Sequence, residues 1–177
     1  MSPASITEFA TLRLNSPHKW DSLTTIDFFR ALSADQRAWS GYPLLYFRDV
    51  DAPDDSGCER VYLLSGWKSV EAHYEWIEGA ANQALLEKGV GDGKLLSVEG
   101  FAHVAIVFEE FPQDQRVLYL ERPAKAVEDS TTGAESWRRQ GKVLDQGVDE
   151  LWQFRDGVAE NSSDGTTALK RLNTSWN

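Results

Sequence analysis

Gly66-Trp67-Lys68-Ser69-Val70-Glu71-Ala72-His73-Tyr74-Glu75-Trp76-Ile77 marks the point where a strand gives way to a helix. Ahead of it, Arg60 to Trp67 is a short apolar and aromatic run of strand length. Behind it the period changes. Val70, Tyr74, Ile77, Ala81 and Leu85 recur every three to four residues as one stripe, with His73, Ala80 and Ala84 on its flank. Glu71, Glu75, Glu78 and Asn82 lie roughly opposite. Ser69 can cap the first turn, and Glu71 sits well in the field of the helix dipole. The spacing predicts a helix over 69–88, stopped by Gly89, Gly91 and Gly93. That glycine run follows a helix rather than a strand, so it is no dinucleotide fingerprint.

Working upstream, Pro43 to Val50 reads as a second strand that pairs with 60–67 across the polar turn 51–57. Ile26, Phe29, Leu32 and Gln36 place a helix over roughly 23–39, with Ser22 as N-cap and Gly41 just past the end. Ser33 followed by Gln36 resembles a capping box and suggests a break there. Ile6 to Leu14 alternates, with Ile6, Glu8, Ala10, Leu12 and Leu14 on one face and Thr7, Phe9, Thr11 and Arg13 on the other. Downstream, Phe101 to Phe108 supplies a fourth, nearly continuous apolar strand.

The order is therefore βαββαβ, an α+β ferredoxin-like unit over residues 1–112 with both helices on one sheet face. The opposite face, including Phe9, stays apolar and would be wet in a single copy. A second copy is its natural cover, which predicts a dimeric α+β barrel. Residues 113–177 form an extension. In it Gln115 to Leu120 reads as a strand, Pro123 to Ala134 as loop, Trp137 to Leu144 as helix, Leu151 to Arg155 as strand, and 161–167 as loop. Two readings stand for this extension: a truncated second repeat, with Leu151-Trp152-Gln153-Phe154 echoing Tyr62-Leu63-Leu64-Ser65, or an arm on a partner subunit.

Composition narrows the classes. The 177 residues carry a net charge of −10, which repels phosphate backbones and argues against nucleic-acid binding. No run approaches the ~20 apolar residues of a membrane span. Residues 1–7 lack the pattern of a secretion signal, so a cytosolic location is the default expectation. The one cysteine, Cys58, stands among Asp54, Asp55 and Glu59, the wrong charge for a reactive thiol. Seven Trp, eight Phe and five Tyr exceed what a lean core requires and suit a pocket for a flat apolar ligand.

Ile6 to Leu14, the junction Gly66-Trp67-x-Ser69-x-Glu71 and Asn82-Gln83-Ala84-Leu85-Leu86 resemble fungal proteins of the dimeric α+β barrel superfamily, in its antibiotic-biosynthesis-monooxygenase-like branch. The resemblance spans about residues 5–110 and implies fold more than reaction, since the superfamily holds quinone-forming monooxygenases, cyclases, isomerases and haem-dependent relatives.

His73 is the first candidate for chemistry. It lies close to the apolar stripe, and a neutral imidazole there can act as general base. The resemblance implies a role for the neighbouring Tyr74, because some polyketide cyclases of the superfamily pair a helix histidine with a tyrosine. Glu8 stands among apolar residues of the first strand, where an inward carboxyl could pair with His73 or act as the acid; an exposed end position, or pairing with Arg48, is the plainer alternative. His103, Trp67, Tyr62 and Phe29 are candidates for substrate binding. Trp67 matches the family's tryptophan position, and each of the four could equally serve packing.

Three histidines and one cysteine give no zinc-type spacing, and no metal is expected. Haem stays open, because one histidine suffices as axial ligand. These readings lead to an expected homodimeric, cofactor-independent enzyme of secondary metabolism, carrying out acid–base cyclisation, isomerisation or elimination on an aromatic or polyketide-like substrate. The alternatives are a cofactor-free monooxygenase and a non-catalytic ligand-binding or structural dimer.

Overall fold

The computed structural model describes residues 4–50, 59–122, 137–156, 166–172 and 174. Cys58, the turn 51–57, the loop 123–134, most of 161–167 and Trp176 lie outside the described residues. The first half runs β1 (Ile6–Leu14), α1 (Leu23–Ser40), β2 (Leu44–Asp49), β3 (Glu59–Trp67), α2 (Val70–Glu78), α3 (Ala80–Gly89) and β4 (Leu96–Val104). The second half adds β5 (Val117–Glu121), β6 (Arg138–Lys142), β7 (Leu151–Arg155) and β8 (Thr166–Arg171). All eight strands form one antiparallel sheet in the order β4-β1-β3-β2-β8-β5-β7-β6. The first four positions are the ferredoxin-like arrangement that βαββαβ predicts.

The sheet curls until its two edges meet. Beyond β4, Val104 bridges Val143, Ala105 N–H donates to the Lys142 carbonyl (2.8 Å), and Leu144 N–H donates to the His103 carbonyl (2.8 Å). Gly141 makes this seam possible: a Cβ there would fall 2.7 Å from the Ala105 carbonyl oxygen and 2.6 Å from Ile106 Cγ1.

Strand alternation divides the core cleanly. Phe9, Phe47, Tyr62 and Leu64 point into the curl and bury against Leu118, Leu120, Trp152, Phe154 and Leu169. Ala10, Leu12, Leu14, Tyr46, Leu63 and Trp67 point the other way, against Phe28, Phe29 and Leu32 of α1, Trp76 of α2 and Leu85 of α3. Phe9 is thus covered by strands of its own chain, and the expectation that a second copy must cover this face is corrected. The second half reaches the first through β2–β8 pairing, with Phe47 opposite Arg171.

Other expectations shift too. Helix α1 is continuous from Ser22, whose hydroxyl accepts from Thr25 N–H, to Gly41 with φ of 83°. Ser33 caps nothing; its hydroxyl meets the Tyr46 hydroxyl at 2.8 Å. The helix expected over 69–88 breaks at Gly79, which is extended (φ −65°, ψ 143°). There the Asn82 and Gln83 side-chain amides donate to the freed Ile77 carbonyl at 3.1 and 2.7 Å. The buried side of α2 is His73 and Trp76, whereas Tyr74, assigned to the stripe, is 44% exposed. Residues 138–142 are a strand rather than a helix, because they pair with β7. The fourth strand starts at Leu96 instead of 101, its polar residues on the exposed edge, and Phe108 falls in a 3-10 turn. Among the described residues no helix is long and apolar enough to cross a membrane.

Candidate functional site

Register brings the first residues together. On β1, Glu8 lies opposite Ser65 of β3 and His103 of β4, and all three side chains face the helices. Trp67, two residues beyond Ser65, shares that side. From above, α2 lowers His73 between them, because Ser69 caps the helix one turn earlier through the Ala72 N–H.

The Glu8 carboxyl is buried, and its Oε2 collects donors: Ser65 Oγ at 2.7 Å and Trp67 Nε1 at 2.8 Å. His73 Nε2 stands 3.5 Å from the same oxygen. On its other side, His73 Nδ1 lies 2.7 Å from His103 Nε2. His103 Nδ1 in turn meets Asp145 Oδ1 at 2.7 Å, while Asp145 Oδ2 accepts the His103 backbone N–H at 2.7 Å. The result is a row, Glu8, His73, His103, Asp145, hydrogen-bonded from His73 to Asp145 and ending in the 3.5 Å approach of His73 to Glu8. Both rings are buried, His73 2% and His103 0% exposed. Burial pushes the His73 imidazole below its ordinary 6.5; Glu8 opposes that shift, His103 adds to it, and Asp145 opposes it. His73 is neutral at neutral pH as a result.

Glu8 and His73 also form one wall of a cavity of about 320 Å³ between sheet and helices. Its other walls are almost wholly apolar, with Ala10, Leu63, Phe28, Leu32, Trp76 and Leu85 among them. Gln36 of α1 lines it as well, and its buried Nε2 has no hydrogen-bond partner among the described residues. A buried amide donor left unmatched is costly and uncommon.

The remaining candidates lie elsewhere. Trp67 anchors Glu8, its ring 4.4 Å from that of His73, and does not line the cavity. His103 links His73 to Asp145. Tyr74 covers the outside of the row, 5.7 Å from His103 and 6.3 Å from Phe101. Tyr62 is on the opposite sheet face, stacked on Phe9 and donating to Asp49 at 3.3 Å. Phe29 is packed among Trp20, Phe28 and Tyr46. Sequence reasoning missed Ser65, Gln36 and Asp145. Ser65 was readable from alternation with Trp67 on β3. Asp145 carried no local signal, since only closure of the sheet brings it to His103.

Comparison with known proteins places the fold. No sequence-family description and no curated protein matches the chain. Solved structures do match over nearly all of it. A protein assigned as a chlorite dismutase aligns with TM-score 0.55 at 9% identity, covering 97% of this chain and 96% of its own. Chlorite dismutase from Candidatus Nitrospira defluvii, as a tryptophan mutant in complex with cyanide, aligns with TM-score 0.56 at 8% identity over 98% and 93%. An arginine-to-alanine mutant of the same enzyme gives 0.54 at 8% over the same shares.

The solved structures of like fold are chlorite dismutases, which overturns the expectation of a cofactor-independent enzyme of secondary metabolism. Haem does not fit the two buried histidines, His73 and His103. An axial imidazole needs a free ring nitrogen, and both nitrogens of His73 and of His103 face a partner within the buried row. No helix backs β5 to β8 among the described residues. At identities this low the likeness concerns architecture: the solved structures that share this chain's fold are chlorite dismutase-like proteins.

Proposed function

We propose that the cavity between sheet and helices is a proton-exchange site for a small, largely apolar molecule carrying one ionisable or hydrogen-bonding group. One observation carries this reading: a carboxyl–imidazole pair, Glu8 with His73, stands in a largely apolar cavity wall. A volume of about 320 Å³ is at the small end of ligand pockets. The apolar walls supply affinity by burial, and the pair supplies direction and a proton. Gln36, with an unmatched donor in the same wall, orients an acceptor atom of the bound molecule. Ser65 and Trp67 act through Glu8, holding its Oε2 in place.

Matched probes test the reading. p-Cresol and toluene have nearly the same shape, but only p-cresol carries an acidic hydroxyl. Titration calorimetry on the full chain should show p-cresol binding at least tenfold tighter than toluene. Ala10→Leu, which projects into the cavity, should abolish binding of both while the thermal transition stays cooperative. Equal affinity for the two probes, or p-cresol binding that survives Ala10→Leu, would overturn the proposal.

A further inference from the structure

We infer that Glu8, His73, His103 and Asp145 form a proton wire joining the sheet–helix cavity to a second cavity on the opposite face of the sheet. The wire supplies the proton-exchange site proposed above and rests on that reading for its purpose, though its geometry stands by itself.

The two ends of the row face different surroundings. Glu8 lines the largely apolar cavity, together with Val98, Phe101 and Ile77. Asp145 lines a larger cavity of about 550 Å³ on the inner side of the curl, together with Arg60, Glu99, Arg122 and Tyr62. The Asp145 side chain is 20% exposed there, against 0% for His103. Water that reaches this cavity can exchange protons with Asp145, and the two imidazoles link Asp145 to Glu8.

Counting protons shows how the row conducts. His73–His103 and His103–Asp145 are hydrogen bonds, and Glu8–His73, at 3.5 Å, must shorten to become one; each of the three contacts then needs one proton. Two neutral imidazoles bring two, so the third sits on a carboxyl, and the filled row has net charge −1. In one arrangement Glu8 is protonated and donates to His73 Nε2; His73 Nδ1–H donates to His103 Nε2, and His103 Nδ1–H donates to the Asp145 carboxylate. In the other arrangement Asp145 is protonated and donates to His103 Nδ1. Now His103 Nε2–H donates to His73 Nδ1, and His73 Nε2–H donates to the Glu8 carboxylate. Each of three protons moves one step. One O–H and two N–H bonds break, and one O–H and two N–H bonds form. The net result is transfer of one proton between the ends, with no other reactant. The 3.5 Å contact between Glu8 and His73 is the longest step, and it is where a bound molecule can intervene.

Ring nitrogen NMR on the full chain with 15N-labelled histidine tests the wire. Asp145→Asn keeps an oxygen for the His103 backbone N–H and turns its NH2 donor to His103 Nδ1, leaving no group that can take up and release a proton. Two residues along the row, His73 should become fixed as the Nε2–H tautomer. Exchange of its ring proton with solvent deuterium should slow at least tenfold. His103→Gln, which interrupts the row at its middle, should slow the exchange similarly and serves if Asp145→Asn fails to fold. Unchanged ring shifts and exchange in a folded variant would overturn the wire. Slowed exchange without p-cresol binding would uphold the wire and remove the ligand reading; p-cresol binding without slowed exchange would do the reverse.

Discussion

His73 Nδ1 and His103 Nε2 lie 2.7 Å apart, in two rings set at 68° to each other, and each ring has a carboxyl on its far side. A proton between two buried imidazoles belongs to the pair rather than to either ring. The consequences that follow concern stability first, because these groups hold strands and helix together as well as holding a proton.

Acid should weaken the fold through His73. Its folded-state pKa is depressed, so between that value and 6.5 the unfolded chain binds more protons than the folded one. Stability from this group is fully present above pH 6.5 and falls as pH drops toward the folded value. The steepest loss is about 1.4 kcal/mol per pH unit, or about 2–4 °C of melting temperature per kcal/mol for a chain of this size. Thermal unfolding followed by circular dichroism from pH 7.5 to 5 should show the fall. His73→Gln should flatten the slope over that range.

Glu8 gathers Ser65 Oγ and Trp67 Nε1 in a buried place. Replacing it with leucine strands the Ser65 hydroxyl, while Trp67 Nε1 keeps Ser65 Oγ as acceptor at 2.9 Å, at a cost of about 1–3 kcal/mol. Glu8→Gln keeps an acceptor oxygen and should lose less than half as much. Guanidinium unfolding of the three proteins, compared at constant m-value, provides the measurement.

Gly141 sits where β6 crosses the end of β4, and a methyl group there would meet the Ala105 carbonyl oxygen at 2.7 Å. Gly141→Ala should open the seam and cost about 1–3 kcal/mol. Because the seam delivers Asp145, the His103 backbone N–H should lose its acceptor. Hydrogen exchange at that amide should accelerate at least tenfold, more than at strand amides remote from the seam.

Gln36 separates a ligand role from a structural one. Its Nε2 is buried without a partner among the described residues, so Gln36→Leu should stabilise the protein by about 1 kcal/mol. The same substitution should weaken p-cresol binding several-fold. Stability and affinity moving in opposite directions is the expected pattern, read by thermal melts and calorimetry on one preparation.

The first half of the fold was legible because its alternation is strong and its boundaries are marked. Ser22, Gly41 and Ser69 end or begin helices as their chemistry dictates, and β1 sorts Phe9 from Ala10 without ambiguity. The second half was less so. Arg138 to Lys142 has no apolar alternation of its own and is a strand only because β7 pairs with it. The break at Gly79 hid inside an apolar period that runs through it, and that same period put Tyr74 inward in place of Trp76. Glu8, His73 and His103 were nameable from strand face and helix stripe. Asp145 was not, since 42 residues separate it from His103 and the contact exists only after the sheet has curled.

That curl binds the fate of the two halves together. Residues 1–112 contain Glu8, His73 and His103 but not the carboxylate that receives His103, which arrives with the strand on the far edge. The last piece of the row is therefore set by closure of the sheet, where Val104 bridges Val143. Loss of that contact would disconnect the pocket even where every residue around it kept its place.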